Sequence, residues 1–414
     1  MTSRPRLTDE QRLDWLQLIR CENVGPRTFR TLLNRFGGAG AALEALPELI
    51  RRNVSGRAIK IATRTEAEEE MTAATAMGVR FIAVGEPDYP AALRAIDAAP
   101  PLIAVRGEGE ALAEPAVAIV GSRNASAAGL AFTDRLARGL GRAGFVIVSG
   151  VARGIDLSAH RASLETGTIA VLAGGHARPY PAEHAPLLDE IAGKGAIVSE
   201  MPLNWEPRGR DFPRRNRIVS GLALGTIVVE AARRSGSLIT ARFASEQGRE
   251  VFAVPGSPLD PRSEGTNDLL REGATLCTRV EDVESALAPL LGRKPDDLFT
   301  EAEPVSPAQE KLWDELDLFG EEPPQTEPAP TLWSAEEEGP SATPSRSTNG
   351  RAPQSAEERR SRLVSLLGPA PVNVDDLVRA MECPASEVRA LLFELEVAGR
   401  LVRYGGDLVA LLPA

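Results

Sequence analysis

The chain has 414 residues, a formal charge of −11 and 43% hydrophobic residues, which suits two to three domains with a sizeable core. That composition excludes disorder throughout, a collagen-like repeat and a disulfide scaffold. Cys21, Cys277 and Cys383 are far apart with no CxxC spacing, so a reducing compartment is expected and a cysteine metal site is not. No run of 18 apolar residues marks a membrane span, and the charged start MTSRPRLTDEQRLDWLQ lacks the apolar stretch of a secretory signal. A cytoplasmic protein without membrane insertion is the expectation. The acidity is local: residues 301–350 hold twelve acidic residues, two basic ones and eight prolines. They carry −10, so the other 364 residues sum to only −1, and the acidic total is no argument against a nucleic-acid partner. With 43 arginines and 4 lysines, any positive site is built of planar, multi-donor forks.

In chain order, residues 1–78 read as a helical domain, SAM-like or helix-hairpin-helix-like. Leu13, Leu16 and Ile19 recur at helix spacing in the first helix. A Val24-Gly25-Pro26 turn opens a second, whose apolar face is Leu32, Leu33 and Phe36 and whose stop is Gly37-Gly38. This pair is either a helical packing module or a hairpin whose turn amides face a DNA phosphate. Residues 79–292 then alternate. Strands are predicted at 79–84, 102–106, 117–120, 145–149, 169–173, 196–199, 226–230 and 251–254. Helices are predicted at 126–142, 155–166, 184–193 and 237–247. Short, wholly apolar strands with helices between them predict a Rossmann-like, mostly parallel sheet covered on both faces. Residues 293–355 are the acidic, proline-rich linker. Residues 356–414 read as three helices and a two-stranded wing turned at Gly405-Gly406, a winged helix.

Four stretches at strand ends carry the chemistry. The first is Gly121-Ser122-Arg123-Asn124, between a buried strand and a helix, where free amides and an arginine fork suit an anion. It is neither GxGxxG nor GxxxxGK[ST], so no nucleotide cofactor is expected. The second has Gly150, Arg153 and Gly154, with Asp156 either capping the helix or holding an arginine. His160 lies four residues on, on the same face, and would complete an acid–base dyad. The third is PRGRDFPRRNR, with Arg208, Arg210, Arg214, Arg215 and Arg217 interleaved with Phe212 and Asn216 and a single Asp211. Arginines with an aromatic and an amide suit a polyanion whose bases are stacked or hydrogen bonded. The fourth gathers Glu230, Ser235, Gly236 and Ser237, followed by Gly265, Thr266 and Asn267 before a helix. Glu230 would orient an arginine, pair with another group or reject a wrong ligand. His176, beside Arg178 and Tyr180, reads as an incidental loop histidine. No spacing for a metal or a serine nucleophile is present.

Two further segments stand apart. The third helix of the winged helix sets Arg389 against Glu387, Glu394 and Glu396, which favours protein contact or autoregulation over duplex DNA, while Arg400 and Arg403 keep duplex binding open. In the linker, QEKLWDELDLFG (309–320) places Leu312, Trp313, Leu316 and Phe319 in one stripe among acids. It is either without function, a docking segment, or an acidic mimic competing for the arginine site.

From Tyr89-Pro90 to about Ala274 the chain closely resembles the DNA-processing protein A (Smf) family. The matching pieces are Gly121-Ser122-Arg123, SGVARGIDLSAH (149–160), Ala173-Gly174-Gly175 with Tyr180-Pro181, and Ser199-Glu200. They continue with Arg215-Asn216-Arg217, SGSLITA (235–241), Val254-Pro255-Gly256 and Gly265-Thr266-Asn267. The helical and winged-helix flanks are also common in that family. The resemblance implies a protein of natural transformation and recombination that binds and protects incoming single-stranded DNA and helps load RecA past single-strand binding protein. It implies a Rossmann-like DNA platform that dimerises, with no established turnover and no cofactor. Carried over by motif, Ser122, Arg123, Arg153, Arg215 and Arg217 line the anion site. His184 stands where the family more often has asparagine. Two rival functions are a nucleotide or nucleoside-phosphate hydrolase using Asp156 or Glu230, and a winged-helix regulator that binds duplex DNA.

Overall fold

The structure is a computed structural model that describes residues 5–53, 60–291, 355–368, 371–398, 400–404 and 407–411. Residues 293–354 of the linker and the Gly405-Gly406 turn lie outside the described residues. Four helices come first: α1 (Asp9–Arg20), α2 (Pro26–Phe36), α3 (Ala39–Asn53) and α4 (Arg64–Ala76). Thr8 and Gln11 form a capping box at the start of α1, satisfying amides that the first turn leaves unpaired. Pro26 sits at the start of α2, and Gly37 ends it in the left-handed region at φ 78°. Leu18, Phe29, Leu32, Ala42 and Leu46 form the core of this unit. The turn between α1 and α2 faces the protein: Val24, Gly25 and Pro26 are buried, and Arg27 pairs with the Asp97 carboxylate while Arg30 donates to its carbonyl. Of the two readings of this hairpin, the geometry is that of the packing module.

The central unit runs β1 (Val79–Ala83), α5 (Ala91–Arg94), β2 (Leu102–Gly107), β3 (Ala116–Val120), α6 (Ala127–Arg142), β4 (Val146–Ser149) and α7 (Ile155–Ser163). It continues through β5 (Thr168–Val171), α8 (Ala185–Lys194), β6 (Ala196–Ser199), α9 (Asp211–Gly221), β7 (Gly225–Val228), α10 (Gly236–Glu246), β8 (Glu250–Ala253), α11 (Glu264–Arg271), β9 (Thr275–Leu276) and α12 (Val280–Leu287). The nine strands form one sheet in the order β1-β2-β6-β5-β4-β3-β7-β8-β9. All pairings from β6 to β9 are parallel, and β2 and β1 are antiparallel additions at the β6 edge. Strand β3 shows why the strands read as unbroken apolar runs. Ala118 and Val120 enter one core with Ile218 and Val219 of α9 and Ala241 of α10. Val117 and Ile119 enter the opposite one with Leu136 and Leu140 of α6, Ile155 and Ala159 of α7 and Val283 of α12. A strand buried on both faces has no polar side to show. The helical unit shares a core with the sheet edge, where Leu13, Leu16, Ala67 and Ala74 meet Phe81, Ala83, Leu102 and Ala104.

The last unit contains α13 (Ala356–Leu366), β10 (Val372–Asn373), α14 (Val374–Met381), α15 (Ala385–Val397), β11 (Leu401–Tyr404) and β12 (Leu408–Leu411). Its sheet has three strands in the order β10-β12-β11, one more than the expected two-stranded wing, because the two-residue β10 pairs with β12. It packs on the first turn of α6: Ala127 joins the core of Leu363, Leu377, Leu392 and Leu395, with Ala128 and Leu130 against it. Arg262 fixes the contact, holding Asp260 at 3.0 Å and donating to the carbonyls of Ser365 and Leu367 at the end of α13.

Candidate nucleic-acid interface

Steps from β3 to β6 run one way across the sheet, and steps from β7 to β9 run the other. Open sheets of this kind usually bind ligands at the reversal, here between the ends of β3 and β7. In this chain that crevice is filled. The buried Glu230 carboxylate, past the end of β7, accepts from Ser126 N at 2.9 Å and Ser126 Oγ at 2.5 Å, and Ser126 Oγ in turn accepts from Gly129 N at 2.9 Å. Burial raises the Glu230 pKa against these hydrogen bonds. Of the roles open to Glu230, the structure gives it Ser126, the cap of α6.

The open cavity lies on the other side of β3, over the ends of β3, β4 and β5. It has a volume of about 580 Å³, and Arg123, Arg153, Arg178 and Arg215 line it, with Phe212, Tyr180, Glu183 and Glu206. Three of the arginines stand a few residues past three successive strand ends. The fourth comes from α9, whose first turn reaches the same edge. The Arg123 guanidinium lies over the Phe212 ring at 5.5 Å, and Phe212 meets Tyr180 edge to face at 5.7 Å. Arg208 stacks on Trp205 at 5.0 Å just outside. Guanidinium forks beside aromatic faces are the equipment for holding phosphates while stacking bases.

The cavity floor is held rigidly. Arg215 is 6% exposed, and its Nη1 donates to Gly150 O and, at 2.9 Å, to Val171 O, bridging the ends of β4 and β5. Burial lowers its pKa to about 10, with Asp156 opposing the shift, so it stays charged at neutral pH. A Cβ at position 150 would lie 2.0 Å from Arg215 Nη1, and one at position 154 would lie 2.2 Å from Ser122 O. Gly154 also has φ +77°, a conformation that L side chains resist. These two glycines let the loops after β3 and β4 touch, sealed by Ile155 N donating to Ser122 O at 3.2 Å. Between them Val151, a β-branched residue, is held at φ 62°, a conformation that persists only when neighbours over-determine it. Asp156 accepts from Gly150 N at 3.2 Å and Ala152 N at 3.3 Å, and His184 Nδ1 donates to Val151 O at 2.9 Å.

Asp156 is therefore the clamp of this loop. Burial raises its pKa, with Arg215 and the two amides pulling the other way. No Asp156–His160 dyad forms. His160 is buried, its Nδ1 meets Thr168 Oγ1 at 2.8 Å, and burial lowers its pKa to about 3, leaving a neutral core imidazole. His176 is likewise internal, donating from Nε2 to Ala104 O at 3.0 Å, with its pKa lowered by burial to about 4. His184 supplies the one donor to a buried carbonyl that asparagine would also supply. Replacing His184 with alanine is expected to lower unfolding stability by about 1–3 kcal/mol by orphaning Val151 O. His184→Asn should restore most of it, which denaturant unfolding of the two variants would measure.

The predicted site residues divide. Arg123, Gly150, Arg153, Phe212 and Arg215 line the cavity. Gly121, Ser122, Asn124 and Gly154 build its wall: Ser122 Oγ accepts from Asn124 N at 3.1 Å, making the turn, and a Cβ at Gly121 would strike Ile155. Arg208 and Arg210 are exposed on the approach, and Arg214 is half-buried on α9. Others lie elsewhere. Ser235 caps α10 and bonds to Ser237, and Asn216 Nδ2 donates to Gly236 O. Thr266 is buried, its Oγ1 donating to Ser263 O, while Asn267 exchanges two bonds with the Gly256 backbone. Arg217 is the clearest correction. It is 2% exposed, donates to Ala98 O at 2.5 Å and forms an ion pair with Glu200 inside the protein. Arg215 and Arg217 both lie on α9, and residues two apart on a helix point to opposite sides. Arg178, named from the sequence only as a neighbour of His176, belongs to the cavity. Its signal was its place after a strand end and Gly174-Gly175, matching Arg123 and Arg153.

Fold and site together define a Rossmann-like domain with an arginine- and aromatic-lined cavity at one sheet edge, between a helix-hairpin-helix unit and a winged helix. Residues 80–288 match the family model for DNA recombination-mediator protein A, residues 9–73 that for the DprA-like N-terminal HHH domain, and residues 347–407 that for the DprA winged helix domain. The chain belongs to the DNA recombination-mediator protein A family. It is 42% identical over 209 residues to DNA processing protein DprA of Bacillus subtilis, covering 50% of this chain and 70% of that one. It is 47% identical over 198 residues to Protein Smf of Escherichia coli, covering 47% of this chain and 53% of that one. The X-ray structure of DNA processing protein A from Streptococcus pneumoniae superposes with a TM-score of 0.57 at 30% identity, over 68% of this chain and 98% of that one.

Proposed function

We propose that the protein binds single-stranded DNA in the cavity over β3, β4 and β5 and passes it to RecA in natural transformation and recombination. The observation that carries this reading is the convergence of four arginines with Phe212 and Tyr180 on one sheet edge. A single strand lays its phosphates on the guanidiniums and its bases against the rings, and bases left outside stay accessible to a recombinase. Single-strand binding protein is the competitor that this handover overcomes, in the cytoplasm, and a homodimer would pair two such sites and raise avidity. Among the described residues no helix is long and apolar enough to cross a membrane.

The hydrolase reading loses support because both of its carboxylates have structural partners, Asp156 the loop amides and Glu230 Ser126. The duplex-regulator reading loses support on the winged helix, where Glu387 takes Arg359 and Glu396 takes Arg403, each at 2.8 Å. The test is a salt-titrated comparison of oligo-dT and duplex DNA on the full chain. Tighter binding of oligo-dT, weakening with salt by about 0.7 in log–log slope for each phosphate contacted, is expected. Preference for duplex by the full chain would reject the reading.

A further inference from the structure

Two loops that line the cavity are joined to each other and to the helical unit. The loop after β5 contributes Ala177, Arg178 and Tyr180 to the lining, and the loop after β6 contributes Glu206 and Pro207. Their backbones pair: Gly175 N donates to Trp205 O and Ala177 N to Leu203 O, both at 2.9 Å. A Cβ at position 175 would lie 2.0 Å from Pro202 O, so only glycine allows this approach. Arg178 N then donates to Gly175 O at 3.0 Å.

The second loop is held by an ion pair of the helical unit. Arg20, the last residue of α1, donates to both carboxylate oxygens of Glu70 in α4 at 2.9 Å. Each partner also holds the loop backbone. Glu70 Oε1 accepts from Leu203 N at 3.0 Å, and Arg20 donates to Glu200 O at 3.2 Å and Met201 O at 3.3 Å. Both side chains are 13% exposed. Leu203 and Ala177 pack in the core shared by α1, α4 and the sheet edge, with Leu13, Leu16 and Ala67. A continuous row of hydrogen bonds thus runs from Arg20 and Glu70 through Leu203 to Ala177, the neighbour of Arg178.

We propose that Arg20 and Glu70 are positioning residues for single-strand binding: they hold the two loops so that Arg178 and Tyr180 meet DNA already ordered. This deepens the single-strand reading of the cavity and rests on it. Ordering a side chain or loop on association weakens binding, and setting it beforehand removes that cost. For two side chains the difference is about tenfold in affinity.

The experiment measures oligo-dT affinity and amide hydrogen exchange on the full chain. Glu70→Ala should bind about tenfold more weakly, although by charge alone the loss of a carboxylate favours DNA. In the same variant the peptide covering 172–184 should exchange faster. Glu70→Gln keeps an oxygen for Leu203 N and should recover most of the affinity. Asp88→Ala, which also removes a carboxylate paired with an arginine, Arg6, should not weaken binding. In a chain already carrying Arg178→Ala and Tyr180→Ala, Glu70→Ala should add no further loss, because the residues it positions are gone. Undiminished affinity of a folded Glu70→Ala chain would overturn the proposal, and so would an equal loss in that double background. If Glu70→Ala does not fold, Arg20→Lys, which keeps the charge and gives up the fork on the Glu200 and Met201 carbonyls, is held to the same two criteria. Wild-type affinity of the chain carrying Arg178→Ala and Tyr180→Ala would instead remove the site itself.

Discussion

Replacing Arg123 and Arg178 together with alanine is expected to weaken oligo-dT binding at least a hundredfold while leaving the fold in place. Both side chains are exposed, so each removes a charged hydrogen bond to phosphate, about 1.5–3 kcal/mol, without emptying a core site. The stability change should stay within about 1 kcal/mol, most of it the Arg123 contact with Phe212. The log–log salt slope should become shallower by about 1.4, since two phosphates are no longer neutralised. Fluorescence anisotropy across a salt series and a denaturant melt give both quantities. A full-strength slope with intact binding would place the phosphates elsewhere.

Arg217→Ala should behave in the opposite way. Arg217 is buried with Glu200 on one side and the Ala98 carbonyl on the other, between α9, the end of β6 and the loop before β2. Removing either member leaves a buried charge without its partner, which costs about 3–5 kcal/mol. Arg217→Ala and Glu200→Gln are therefore expected to lower unfolding stability by about that amount, a large share of what holds a domain together. Any loss of DNA binding should follow the unfolded fraction and not the salt concentration. A stable Arg217→Ala protein with a shallower salt slope would return this residue to the groove. The practical consequence is that a double variant at Arg215 and Arg217 mixes two effects. Arg215 supports the cavity floor through Gly150 and Val171, and Arg217 supports the fold.

The fold was legible where burial leaves a one-dimensional trace. The wholly apolar runs at 116–120, 146–148 and 196–198 announce strands covered on both faces. The Pro26 start and Gly37 stop of α2 are likewise local chemistry. The arginine-rich stretch resisted because its charge is visible in the sequence but its direction is not. Once Asp211–Gly221 is a helix, the hundred-degree step per residue sends Arg215 toward the strand ends and Arg217 toward Glu200. Composition alone puts them together. Arg178 and Tyr180 lie in an irregular loop, where no period ties a side chain to a surface, and only the convergence of β3, β4 and β5 gathers them. Ser235, Thr266 and Asn267 carry the same polar chemistry as the residues beside the cavity. They lie past the ends of β7 and β8, where Ser235 bonds to Ser237, Thr266 to the Ser263 carbonyl and Asn267 to the Gly256 backbone.

A single strand seated over the ends of β3, β4 and β5 brings its bases to the rings there, and photocrosslinking with an oligo-dT carrying 5-iododeoxyuridine reads this out. Peptide mapping should find the adducts on Tyr180, Phe212 and Trp205, diminished in the variant lacking Arg123 and Arg178. Adducts confined to the helical unit before Val79 or to the winged helix, unchanged in that variant, would contradict it.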